Sequence, residues 1–348
     1  MDYSCGMTRL RILRLCVLLL CLVPALAATA QTAASYRYFR LGNQADAKAN
    51  SQPGFALMGG GDDLDQAFRW LCTRSGGGDF LVLRAHGDDE YNSYVQDLCH
   101  LNSVSTLVIP NHAAAVDPFV EKTIRHASAL FIAGGDQANY INFWTGTPVE
   151  EALNDAIRRG VPIGGTSAGL AVLGEWVYTA QGDKPEDADL DSKTALADPY
   201  GPRITLAWEF LQIPVLKGVI TDTHFAKRNR MGRSLVFLAR LNDPNGKQPP
   251  AGTPKIRGIG VEERAAVLLE PDGKATVIGH GSVYFLKTEG LADVLELGKP
   301  LTFRNIAVQK VGPGHTFDLK AWQGEATRYT LSVEAGIVTS TQPGGGIY

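Results

Sequence analysis

Between Phe55 and Ile163, short apolar runs alternate with amphipathic stretches, and that alternation restricts the chain to few architectures. The apolar runs lie at 55–58, 80–83, 105–109, 129–132 and 161–163. Helical periodicity occupies 64–72, 91–98, 116–126 and 150–159 between them. Repeated strand–helix units of this kind form a parallel sheet wound with helices on both faces. From Gly258 onwards the sequence is strand-rich, with turn signals at Pro271-Asp272-Gly273 and Gly312-Pro313-Gly314. The expected fold is therefore α/β, a doubly wound and mostly parallel sheet with a strand-rich C-terminal part. Ligands of such sheets bind at the carboxyl ends of the strands.

The first 30 of the 348 residues stand apart. Arg9, Arg11 and Arg14 precede an apolar stretch, and small residues follow at Ala25-Leu26-Ala27 and Ala28-Thr29-Ala30. This reads as a secretory signal, too short for a membrane span. Residues 31–52 read as a polar leader with little core content, and 53–348 as a single domain. Removing 1–30 takes away three arginines and one aspartate, which leaves 30 basic against 35 acidic residues, a net charge of −5. That balance argues against binding to nucleic acid or to an anionic membrane surface. Cys72 and Cys99 are the two cysteines beyond the signal, and an exported chain would pair them if geometry permits.

The fifth apolar run leads into Gly164-Gly165-Thr166-Ser167-Ala168-Gly169. Gly165-x-Ser167-x-Gly169 has the spacing of a nucleophile elbow, a strained strand-to-helix turn that holds a serine hydroxyl outward. The Ala168 N–H would then face a developing oxyanion with the helix dipole behind it. The bland alternative is a glycine-rich turn with Ser167 as an ordinary helix cap.

A serine nucleophile needs a base. Seven histidines are available: His86, His100, His112, His126, His224, His280 and His315. His224 follows the apolar run 219–221 at the same edge as Ser167. Its surroundings hold Lys227, Arg228, Arg230 and Arg233 ahead of a helix, where cations oppose the dipole. Either this is a solvated basic face, or some of these arginines grip a carboxylate. An acid should orient the imidazole. Glu262 and Glu263 both lie at the end of a strand, on opposite faces, so one of them can serve.

Three further features have bland readings. Gly59-Gly60-Gly61 departs from a phosphate loop because Leu64 replaces the third glycine, and Asp62 or Asp63 caps the next helix. His86-Gly87-Asp88-Asp89-Glu90 reads as a capped strand–helix turn rather than a metal cluster. The acidic stretch 181–200 reads as a mobile surface loop.

Ala133-Gly134-Gly135-Asp136-Gln137, the 164–169 elbow, Asp222-Thr223-His224-Phe225 with its arginines, and Gly258-Ile259-Gly260-Val261-Glu262-Glu263 occur together in the order seen in cyanophycinases. The chain resembles that family, serine peptidases related to dipeptidase E with a class I glutamine amidotransferase-like, flavodoxin-like fold, from about Phe55 to Leu319. The resemblance implies Ser167 as nucleophile, His224 as base and Glu263 as the orienting acid. It implies an oxyanion hole from the amides of Gly135 and Ala168. It also implies substrate contacts from Gln137, Asp222, Arg228, Arg230 and Arg233. The substrate it names is cyanophycin, a poly-aspartate backbone with arginine on the side-chain carboxyls. No metal or cofactor is implied, and a homodimer is compatible with the reading. Thr223 departs from the glutamine usual in the cytoplasmic members, and the export signal is foreign to an enzyme of an internal granule. An α/β-hydrolase-type esterase and a non-catalytic binder of acidic peptides are the competing expectations.

Overall fold

The computed structural model describes residues 1–3, 35–184, 187, 189–246 and 255–348. Contacts divide the chain into two units, Met1–Ala33 and Ala34–Tyr348. The signal expected at 1–30 lies outside the described residues apart from its first three. All of the sheets and helices belong, among the described residues, to the second unit.

A ten-stranded sheet takes six strands from residues 37–166 and four, Ala265–Leu269, Lys274–Gly279, Thr316–Asp318 and Gln323–Gly324, from the C-terminal part. Its centre is five parallel strands in the order Ser103–Val108, Asp79–Arg84, Ala129–Ile132, Ile163–Thr166 and Phe55–Met58. Side chains that alternate along these strands fill two separate apolar clusters. Leu57, Leu81, Leu83, Leu130 and Ile132 pack with the helices Pro118–His126, Gln137–Trp144 and Pro148–Arg158. Met58, Phe80, Val82 and Phe131 pack with Asp65–Arg74 and Glu90–Cys99 on the other side. Helices therefore cover both faces of the parallel core, and its strands are buried almost throughout for that reason. The order of strands and helices follows the expected alternation, with helix Gln137–Trp144 and the short helix His112–Ala115 added.

Some local expectations need correction. The strand leading to Ser167 extends beyond the apolar run 161–163 and through the paired glycines, Ile163–Thr166. A Cβ on Gly164 would lie 2.8 Å from Leu71 and 3.1 Å from Ala56, so glycine lets this strand lie close under its helix. The 31–52 stretch carries more structure than a leader. Arg37–Gly42 adds to the sheet as an antiparallel edge strand on Ser103–Val108, and Arg40 pairs with the buried Asp79 at 3.0 Å. Neither Asp62 nor Asp63 caps the next helix; Leu64 holds the cap position without a side-chain bond. In the 86–90 turn, Arg84 takes the carbonyls of His86 and Asp88 and the carboxylate of Glu90, an ion pair in place of a metal ligand.

The other eight strands, from Trp176–Tyr178 to Ile337–Ser340, form a second sheet. Trp176–Tyr178, Val219–Asp222 and Arg257–Val261 run parallel in it. The chain passes from the second sheet to the first between Arg257–Val261 and Ala265–Leu269, with Glu262, Glu263 and Arg264 as the corner. Gly59 and Gly60 fasten that corner. The Gly59 N–H donates to Ala265 O, and Gly60 O accepts from the Arg264 N–H. The strands before Ser167, His224 and Glu263 therefore end at one edge shared by both sheets.

Cys72 and Cys99 form a disulfide that joins the helices Asp65–Arg74 and Glu90–Cys99. It closes a loop of 27 residues. Cys72→Ser with Cys99→Ser is expected to lower unfolding free energy by roughly 2–4 kcal/mol, measured by denaturant titration of the oxidised and variant proteins.

Candidate active site

Ser167 sits between the strand Ile163–Thr166 and the four-residue helix Ala168–Ala171. Its backbone is at φ 52°, ψ −119°, a region that a side chain occupies only when the surroundings enforce it. The flanking glycines do the enforcing. A Cβ on Gly169 would fall 1.9 Å from Ile132 O, and one on Gly165 would fall 2.5 Å from the Gly169 backbone. The elbow closes because these positions lack side chains.

His224 follows the strand Val219–Asp222 and also adopts a positive φ, 46°. Its Nε2 lies 2.7 Å from Ser167 Oγ, and its Nδ1 lies 2.7 Å from Glu263 Oε1. The hydrogen bond from His224 holds the Glu263 carboxyl below its usual range, so Glu263 is ionised and can only accept. Nδ1 therefore carries the hydrogen, and Nε2 is free to accept from the Ser167 hydroxyl. The neighbouring acid is engaged elsewhere: Glu262 accepts from Ser282 N–H at 2.7 Å and from the Tyr284 hydroxyl at 2.9 Å. The acid follows the histidine in the chain, opposite to the order an α/β-hydrolase esterase would show.

Burial pushes the His224 imidazole below its ordinary value of 6.5, and Arg228 and Arg230 add to the shift; the Glu263 carboxylate opposes it without reversing it. A histidine that must be neutral to accept a proton is then competent across neutral pH. The acid limb of kcat/KM is expected to have its midpoint below pH 6.5. A midpoint above that value in a pH–rate profile would show that another group controls the reaction.

The Gly59–Gly61 turn has a role that its sequence does not announce. A Cβ on Gly60 would lie 2.4 Å from His224 Cε1, and one on Gly61 would lie 3.1 Å from Glu263 Cβ. Gly59 O also accepts from the His224 N–H. The triplet is a seat for the imidazole and the carboxylate, which explains its glycines without a phosphate.

Beside Ser167 opens a cavity of about 430 Å³. Gly135, Gln137, Ala168, Arg228 and Arg230 line it. Gly135 is at φ 151°, and the N–H groups of Gly135 and Ala168 make no hydrogen bond within the described residues. Two expected substrate contacts turn out differently. Asp222 is buried and forms a two-point ion pair with Arg233, Nε–Oδ2 2.8 Å and Nη2–Oδ1 2.5 Å. Although burial alone would raise it, Arg233 holds the Asp222 carboxyl below its usual range. Arg233 touches the cavity wall, yet its charge is committed to Asp222 and to the Leu190 carbonyl. Thr223 joins this framework, its hydroxyl and carbonyl accepting from Arg230 Nη1 at 3.0 Å each.

The acidic stretch 181–200 also departs from the expected surface loop. Asp183 pairs with Arg203, and Asp189 accepts from both Arg228, at 2.8 Å, and Arg230, at 2.6 Å. Gln181 donates to Asn142 at 2.6 Å across the cavity. These partners lie far apart in sequence, so only the excess of cations near His224 hinted at an acid to match them.

The family model described as peptidase family S51 matches residues 82–197, which include the elbow. A cyanophycinase of Nostoc sp. is 29% identical over 207 residues, 58% of this chain and 60% of that protein. The matched part thus spans three fifths of that relative's length. A cyanophycinase of Synechococcus elongatus is 24% identical over 283 residues, 76% of this chain and 79% of the relative. Among solved structures, a peptidase from an acI-B1 Actinobacterium aligns with a TM-score of 0.49 at 15% identity, over 78% of this chain and 98% of that one. The chain is thus similar to peptidase family S51 over residues 82–197 and to two cyanophycinases over a larger part of its length.

Proposed function

We propose that the chain is a serine-type peptidase that hydrolyses peptide or isopeptide bonds at aspartyl units, with cyanophycin as its substrate. The observation that carries the proposal is the continuous chain of hydrogen bonds from Ser167 through His224 to Glu263. Ser167 Oγ attacks the carbonyl carbon while His224 Nε2 takes its proton. Glu263 stabilises the imidazolium that forms. The N–H groups of Gly135 and Ala168 receive the negative oxygen. His224 then returns the proton to the leaving amine, and water, activated by the same imidazole, releases the acyl group. Cations in the cavity recognise the aspartyl carboxylate, with Gln137 as a polar partner. The relatives named cyanophycinase support this substrate. Both the export of the chain, read from residues 1–30, and the full class I glutamine amidotransferase-like arrangement belong to the same proposal.

The test is incubation of the chain with cyanophycin and a panel of aspartyl dipeptides, followed by identification of products. Release of β-Asp-Arg dipeptide supports the reading. Hydrolysis of simple esters with no turnover of any aspartyl substrate would replace it with the esterase reading.

A further inference from the structure

Two ion pairs border the cavity, and they differ in kind. Asp222 and Arg233 are both buried and meet at two points, so each satisfies the other. Asp189 is different. It offers a single oxygen, Oδ2, to both Arg228 and Arg230, and its side chain remains 51% exposed at the cavity. A guanidinium can bind a carboxylate through two parallel N–H groups, and neither Arg228 nor Arg230 does so here. Arg230 is only 7% exposed, yet its Nε–H has no acceptor among the described residues. Asp222, its other acidic neighbour, lies 3.6 Å away and is already matched by Arg233. Two cations therefore share one carboxylate, and one of them, Arg230, lines the cavity and also keeps a buried donor without an acceptor among the described residues. An unpaired buried N–H is costly to leave unmade.

We infer that Asp189 is a specificity-determining competitor: its carboxylate rests on the Arg228–Arg230 pair that receives a carboxylate from the substrate, and the substrate displaces it. This rests on the proposed function for the identity of the ligand, but not on the chemistry at Ser167. Burial would raise the Asp189 carboxyl, whereas the two guanidinium groups hold it down at about 2, so it is an anion at neutral pH. A neutral or singly attached ligand cannot take the place of that carboxylate. A ligand whose carboxylate engages both arginines can. The exchange lowers the apparent affinity of every acidic ligand by the fraction of molecules in which Asp189 is in place, and it excludes ligands that lack the matching anion.

The experiment measures succinate binding by titration calorimetry on the full chain, for the unaltered protein, Asp189→Asn, Asp189→Glu and Asp187→Asn. Asp189→Asn is expected to bind succinate at least about fivefold more tightly, with Asp189→Glu within twofold of the unaltered protein. Asp187→Asn removes an equal charge from the same loop. Asp187 makes no ion pair with Arg228 or Arg230 and is expected to change affinity less than twofold. In hydrolysis, Asp189→Asn is expected to lower KM several-fold. Weaker or unchanged succinate binding in Asp189→Asn, or an equal gain in Asp187→Asn, would overturn the inference, as would no binding in any form. Failure of all forms to hydrolyse aspartyl substrates, with the binding pattern intact, would defeat the proposed function and leave this inference standing.

Discussion

Ser167→Ala and His224→Ala are each expected to reduce kcat/KM for the aspartyl substrate by on the order of 10⁴-fold or more. The double variant is expected to lose little beyond that, because nucleophile and base act as a unit. The reason is visible in the hydrogen bonds: Ser167 Oγ has one base at 2.7 Å, and that base has one orienting acid at 2.7 Å. Glu263→Ala should cost less, about 10²–10⁴-fold, since the imidazole keeps its contact with Ser167. Glu262→Ala should retain most activity, because its carboxylate serves Ser282 and Tyr284. Steady-state kinetics on the four variants check this order. Equal losses in Glu262→Ala and Glu263→Ala would mean that the corner, rather than one carboxylate, matters.

The second large effect is expected from a glycine. Gly60→Ala places a Cβ 2.4 Å from His224 Cε1 and 2.5 Å from Nε2, at a backbone φ of 95°. The imidazole must move away from Ser167 or the turn must open. Displacement of a catalytic group by about 1 Å costs on the order of 10²-fold in rate, so kcat is expected to fall by at least that factor. The unfolding free energy should drop only modestly, by the roughly 1 kcal/mol of an alanine placed at positive φ. Gly77→Ala provides the comparison. It has a positive φ of 74° and open space around its Cβ position, so it should lose similar stability with kcat unchanged. A Gly60→Ala protein with normal kcat would show that the turn does not seat the imidazole.

Ser167 and Gly60 differ in how far the sequence reveals them. The elbow is legible because strand, glycines and serine are contiguous, and the backbone strain they encode is local. His224 is legible because an apolar strand delivers it to the same sheet edge. The role of Gly60 is not, since the group it accommodates arrives from the second sheet. Asp189 reads as solvated for the same reason: its arginine partners lie 39 and 41 residues away, and acidic loops are usually on the surface. Asp222 reads as a ligand contact through the family resemblance, and Arg233 because it is one of the cations crowded near His224. Their burial as a matched pair depends on Val219–Asp222 packing against the helix Met231–Leu241, a tertiary fact. The edge strand Arg37–Gly42 is hidden in a polar composition, because an edge strand with half-exposed side chains need not alternate cleanly.

The most direct test is to treat the folded chain with a fluorophosphonate and map the modified peptide by mass spectrometry. A single adduct on Ser167 is expected, formed at a rate that falls sharply in His224→Ala and is little changed in Glu262→Ala. No adduct on Ser167, or undiminished hydrolysis of aspartyl substrates by Ser167→Ala, would contradict a serine nucleophile activated by His224.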